Sequence, residues 1–71
     1  MKPLNEIYKL ITPKFSKIEV IKNGDKYMSL LLDDKYNIDI WKTNKENFYK
    51  TYMTRTLPAE KLIYINKLLK D

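Results

Sequence analysis

The sequence predicts a single α+β domain in which one helix leads into a three-stranded antiparallel sheet and two further helices follow. Three observations carry this. Apolar residues recur at helical spacing near both ends of the chain, Leu4, Ile7, Tyr8 and Ile11 at one and Leu62, Ile65 and Leu69 at the other. Between them lie short apolar runs separated by turn residues, the pattern of strands. The 71 residues are also about half a typical domain, too few for a second independent core.

Each element has its own signal. A first helix is expected over residues 3–12, with Pro3 in the first turn, where its missing N–H is not needed, and Pro13 as the stop. Residues 17–22 are rich in β-branched side chains and run into Asn23-Gly24-Asp25, the best short hairpin signal in the chain. A second strand follows over residues 27–32, placing Met28, Leu30 and Leu32 on one face and Tyr27, Ser29 and Leu31 on the other. Residues 33–37, Asp-Asp-Lys-Tyr-Asn, read as a turn. Residues 38–42 read as a third strand, with Ile38 and Ile40 inward and Asp39 and Trp41 on the opposite face. Thr43-Asn44-Lys45-Glu46 has the form of a capping box, so a short helix carrying Phe48, Tyr49, Tyr52 and Met53 is expected next. The last helix opens at Thr56-Leu57-Pro58-Ala59-Glu60, where a Thr cap, a proline in the first turn and an early acid agree. No internal repeat, low-complexity tract or linker divides the chain.

Composition narrows the chemistry. A domain this small buries only about 60% of the surface of its unfolded chain, so function is expected on the surface and not in a deep cleft. With no cysteine and no histidine, disulfides, thiolate metal sites, cysteine nucleophiles and histidine-based triads or zinc sites are excluded. Neither a secretory signal nor a membrane span is read in the apolar pattern, and a cytoplasmic location is the expectation. The net charge is +5, from thirteen lysines and Arg55 against nine acids, which favours nucleic acid or another acidic partner. The lysines are dispersed, which suits a solvated surface as well as a phosphate footprint, and AT-rich codon usage accounts for lysine equally well.

Among single residues, Asp39 asks for an explanation, because Asp is disfavoured inside strands. It reads either as an exposed carboxylate on the wet face of a strand or as a rigidly aimed ligand for Mg²⁺, which needs several converging carboxylates. Asp33 and Asp34 read as turn residues first and as ligands second. Tyr49, Tyr52, Tyr64 and Trp41 are stacking surfaces for bases or parts of the core. Arg55, the sole arginine, stands at the junction before the last helix, where it binds either a phosphate or a carbonyl or carboxylate of the chain itself.

The order of residues adds a resemblance. Gly24-Asp25-Lys26-Tyr27-Met28, then Asn37-Ile38-Asp39-Ile40-Trp41, then Asn47-Phe48-Tyr49 and Tyr52-Met53-Thr54-Arg55-Thr56 before a final helix, resembles the end of the palm and start of the thumb of family X DNA polymerases. The resemblance spans essentially the whole chain, with residues 1–53 palm-like and the helix at 56–71 thumb-like. It implies that Asp39 corresponds to the third metal-binding carboxylate and Tyr52 to the hinge tyrosine beside the primer terminus. Lys42, Arg55 and Lys61 join Tyr52 as candidate DNA contacts. The nucleotide-gripping Gly-Ser motif and the other two carboxylates of the family are missing, Gly24 is the only glycine, and Arg55 replaces the hinge glycine. The expected activity is therefore that of a partial module, with DNA as partner, unable to transfer nucleotides alone, and with Mg²⁺ only if an upstream polymerase half or another partner supplies the missing acids. The alternative is a small basic binding protein, of the kind viruses and mobile elements encode, that binds nucleic acid or inhibits a protein partner.

Overall fold

The computed structural model describes residues 2–70. The first helix, α1, runs over Leu4–Ile11, and the carbonyl of Pro3 accepts from the N–H groups of Glu6 and Ile7, both at 3.1 Å. Pro13 lies in a 3₁₀ turn, Thr12–Lys14, that ends the helix, and the Thr12 hydroxyl donates to the Tyr8 carbonyl at 2.8 Å. Four strands follow: β1 Ile18–Asn23, β2 Tyr27–Leu32, β3 Tyr36–Trp41 and β4 Lys50–Met53. They form one antiparallel sheet in chain order, and a single helix, α2 Ala59–Lys70, closes the fold. Among the described residues no helix is long and apolar enough to cross a membrane.

The α+β class agrees with the sequence reading, but the sheet has four strands, not three, and one helix follows it, not two. The segment expected as a short helix is a loop followed by β4. Phe48, Tyr49, Tyr52 and Met53 fit a helical face, but Lys50 to Met53 fit a strand equally well, with Thr51 and Met53 half-buried and Lys50 and Tyr52 exposed. Tertiary structure decides between them. The outer edge of β3 carries a row of backbone groups needing partners, and β4 supplies them in the register Ile38 to Met53, Asp39 to Tyr52, Ile40 to Thr51 and Trp41 to Lys50. Tyr49 ties the preceding loop to the start of the chain, its hydroxyl donating to the Lys2 carbonyl at 2.8 Å.

The core is one-sided. Leu4, Ile7 and Ile11 of α1 and Ile65 and Leu69 of α2 join Phe15 and Leu57 against Met28, Leu30, Leu32, Ile38 and Ile40 of the sheet. Those five sheet residues all point to one face, as the alternation expected, so both helices cover that face. Tyr64 locks the two helices together by donating to the Leu10 carbonyl at 2.9 Å. At about 25 cal/mol per Å² of apolar surface buried, the seven aliphatic residues with no exposed surface are the main source of stability.

The turns depart from the obvious signal. Gly24 does not take positive φ, and the β1–β2 connection closes through the Gly24 N–H donating to the Tyr27 carbonyl at 2.8 Å. The left-handed pair sits in the next connection, where Asp33 and Asp34 have φ of 54° and 58°, as the central residues of a type I′ turn require. Asx side chains tolerate this region because they bond the local backbone. Here Asp33 Oδ1 accepts from the N–H groups of Ser16 and Lys17 at 2.9 and 3.1 Å, and Asp34 Oδ2 pairs with the Lys17 ammonium at 3.2 Å, so both acids tie the turn to the start of β1.

Candidate nucleic-acid interface on the open sheet face

The strand residues that point away from the helices form a second surface. In one row across it stand Tyr27, Trp41 and Lys50; in the next stand Lys22, Ser29, Asp39 and Tyr52; beyond them are Glu19, Leu31 and Asn37. Tyr27, Leu31, Trp41 and Tyr52 all lie outside the hydrophobic core cluster. Three aromatic rings on three adjacent strands thus share an uncovered face, with Tyr52 60% and Tyr27 37% exposed. Directly opposed residues in an antiparallel pair have Cβ atoms about 4.5–5.5 Å apart and diagonal ones about 7–8 Å, so the register sets Tyr27 beside Trp41 and Trp41 diagonal to Tyr52.

Large apolar groups gathered on one face mark an interaction site more often than scattered exposure does. The face is basic at its Tyr27–Trp41 end, while Glu19 stands at the other end beside Leu31. Lys22 and Lys50 lie on the face, while Lys26 and Lys42 flank its Tyr27–Trp41 end, where the Lys42 N–H donates to the Lys26 carbonyl at 3.0 Å and the Lys26 ammonium bonds Asn44 Oδ1. Lys50 also pairs with the half-buried Glu46 at 2.8 Å, an i,i+4 ion pair that partly offsets the lysine's charge beside the rings.

Asp39 lies within the patch, half-buried, on β3 between Ser29 of β2 and Tyr52 of β4. The Tyr27 hydroxyl lies 3.5 Å from Asp39 Oδ1. Among the described residues no lysine or arginine forms an ion pair with it. Nor do three acidic side chains converge anywhere among them, so Asp39 does not by itself fit a Mg²⁺ site, which takes several oxygen ligands in octahedral array.

The structure brings together Asp39, Tyr52, Trp41 and Lys42 from the residues singled out in the sequence. It does not bring Lys61 there. Lys61 lies on α2, its ammonium 4.5 Å from the centre of the Phe15 ring and 3.7 Å from Asp33 Oδ2. Arg55 is exposed in the connection between β4 and α2. The candidate aromatics divide: Trp41 and Tyr52 face outward, whereas Tyr49 and Tyr64 pack against the core and spend their hydroxyls on backbone carbonyls. Tyr27 is the residue that sequence reasoning passed over as a site. Its signal was the alternation of β2, which already set it on the face opposite Met28, Leu30 and Leu32. Comparison with protein-family models, with curated proteins and with solved structures finds no match to this chain.

Proposed function

We propose that this chain is a small basic module that binds single-stranded nucleic acid on the open face of its sheet. The observation that carries the reading is the aromatic patch of Tyr27, Trp41 and Tyr52 on one uncovered face, edged by Lys22, Lys26, Lys42 and Lys50. Bases stack on aromatic rings regardless of sequence, and lysines neutralise the backbone that runs beside them. A single strand suits this surface better than a duplex, whose bases keep their faces stacked on one another and expose only their edges. This sheet face offers rings to splayed bases but no helix to enter a groove.

The test is a binding titration with short oligonucleotides of about nine nucleotides, single-stranded and duplex, DNA and RNA, at about 50 mM and about 200 mM salt. If four lysines each neutralise one phosphate, the logarithm of the binding constant falls with the logarithm of salt with a slope of about −3. No binding to any single strand at low salt sinks the proposal, and equal or tighter binding to duplex sinks its single-strand part.

The polymerase-like reading stays as a second proposal, favoured by one feature: Asp39 and Tyr52, the residues that the resemblance would set beside a primer terminus, are direct cross-strand partners. On that reading the purified chain extends no primer in Mg²⁺ alone, and extension by the chain alone contradicts it.

A further inference from the structure

Asp39 is at odds with a purely phosphate-and-stacking surface, since a carboxylate repels the backbone that the neighbouring lysines attract. It occupies a central place on the face, directly opposite Tyr52 on one side and Ser29 on the other, and two residues along β3 from Trp41. Its Oδ1 has the Tyr27 hydroxyl at 3.5 Å, while Oδ2 accepts no hydrogen bond from any described residue, and no cation of the described chain pairs with it. A carboxylate so placed is a free two-oxygen acceptor among stacking rings.

We infer that Asp39 selects the base bound on this face, and that the base is guanine. The inference rests on the nucleic-acid reading of the patch. A base lying on the ring of Tyr52 or Trp41 turns an edge toward Asp39, because opposed residues stand about 5 Å apart and alternate residues of one strand about 7 Å apart. An ionised carboxylate accepts hydrogen bonds only, and through two oxygens at once. On the Watson–Crick edge, guanine alone sets two N–H donors side by side, N1–H and the N2 amino group, matching the two oxygens. Adenine and cytosine set a lone pair beside their amino group, and thymine and uracil flank their single N–H with carbonyl oxygens. Each of those faces one carboxylate oxygen with an acceptor, which is repulsive. The Tyr27 hydroxyl stands 3.5 Å from Oδ1 and leaves Oδ2 open.

The experiment measures binding of the full chain to a thymine nonamer and to the same strand carrying guanine, adenine, cytosine or inosine at its centre. Guanine is expected to bind on the order of 10-fold tighter than the other three natural bases, the effect of one good bidentate contact. Inosine keeps N1–H but lacks the 2-amino group, and should lose most of that advantage. Asp39→Asn, which swaps one acceptor for a donor and keeps the size, should bring the guanine ratio to near one. Binding that is indifferent to the central base, or a guanine preference that survives Asp39→Asn or inosine, overturns the inference and leaves the stacking surface standing. Absence of binding to every strand overturns both.

Discussion

Tyr52→Ala tests the sheet surface most directly, because it separates binding from folding. Tyr52 is 60% exposed on an edge strand and has no part in the core cluster, so its truncation is expected to cost less than about 1 kcal/mol of stability. If a base stacks on its ring, the same change removes about 1–3 kcal/mol of binding. At about 1.4 kcal/mol per tenfold, the Kd for a single-stranded oligonucleotide rises about 5- to 140-fold. Trp41 is the only tryptophan and shares the face, so quenching of its fluorescence reports binding without a label and remains available in the variant. Circular dichroism melting checks the fold. Tyr52→Phe keeps the ring and should bind within about twofold of the parent. Tyr64→Phe, on the opposite side of the sheet, should leave binding unchanged while losing a hydrogen bond worth about 0.5–1.5 kcal/mol of stability. Unchanged affinity in Tyr52→Ala, with the fold intact, would refute the stacking argument.

The remaining predictions concern charge, turn, pH and core. Lys22→Gln with Lys50→Gln should reduce the steepness of the salt dependence by about 1.4, two phosphate contacts, in titrations across salt concentration. Asp33→Ala strands the N–H groups of Ser16 and Lys17 and places a non-Asx residue at a φ of 54°, so chemical denaturation should show a loss of about 1–3 kcal/mol. Asp33→Asn, which keeps an acceptor and tolerates the turn, should lose less. Burial raises the Tyr49 phenol above its ordinary 10.0, so the folded state favours the neutral form. That contribution is complete well below pH 10.0, where both states are neutral, and is lost as pH rises from there through the higher folded value. Melting temperatures from about pH 9 to about pH 11 should therefore fall less steeply in Tyr49→Phe than in the parent. Leu30→Ala, at a position with no exposed surface in the centre of the sheet, should cost about 2–5 kcal/mol, a large share of the stability of so small a domain, measured by urea unfolding.

Much of the fold was legible because local periodicity and burial agree. Met28, Leu30 and Leu32 alternate in β2, Ile38 and Ile40 in β3, and Leu4, Ile7 and Ile11 follow the helical period, so each element announces both its type and its inward face. Where two periods fit the same residues, the reading failed. From Phe48 to Met53 the aromatics satisfy a helix, and Thr43 to Glu46 imitate its cap, but a helix there would leave the outer edge of β3 unpaired. The hairpin geometry was misplaced for a related reason. Asn23-Gly24 is permitted a left-handed turn but does not need one, whereas Asp33-Asp34 adopt it because Asp33 finds two backbone donors sixteen and seventeen residues earlier in the chain. Of the candidate site, Asp39, Trp41 and Tyr52 were visible as residue types, but Tyr27 was not, since a tyrosine at the start of a strand is unremarkable until its neighbours are known.

The sequence by itself determined the α+β class, the inward faces of β2 and β3, and the absence of histidine and cysteine chemistry, because these follow from residue type and spacing along one stretch of chain. Only the tertiary structure decided that a fourth strand forms, that both helices cover one face, and that Tyr27, Trp41, Tyr52 and Asp39 meet on the other. These outcomes depend on pairing between segments far apart in the chain. Backbone groups at a strand edge accept whichever distant segment satisfies them, and a one-residue shift in register would turn β4 over and carry Tyr52 to the opposite face.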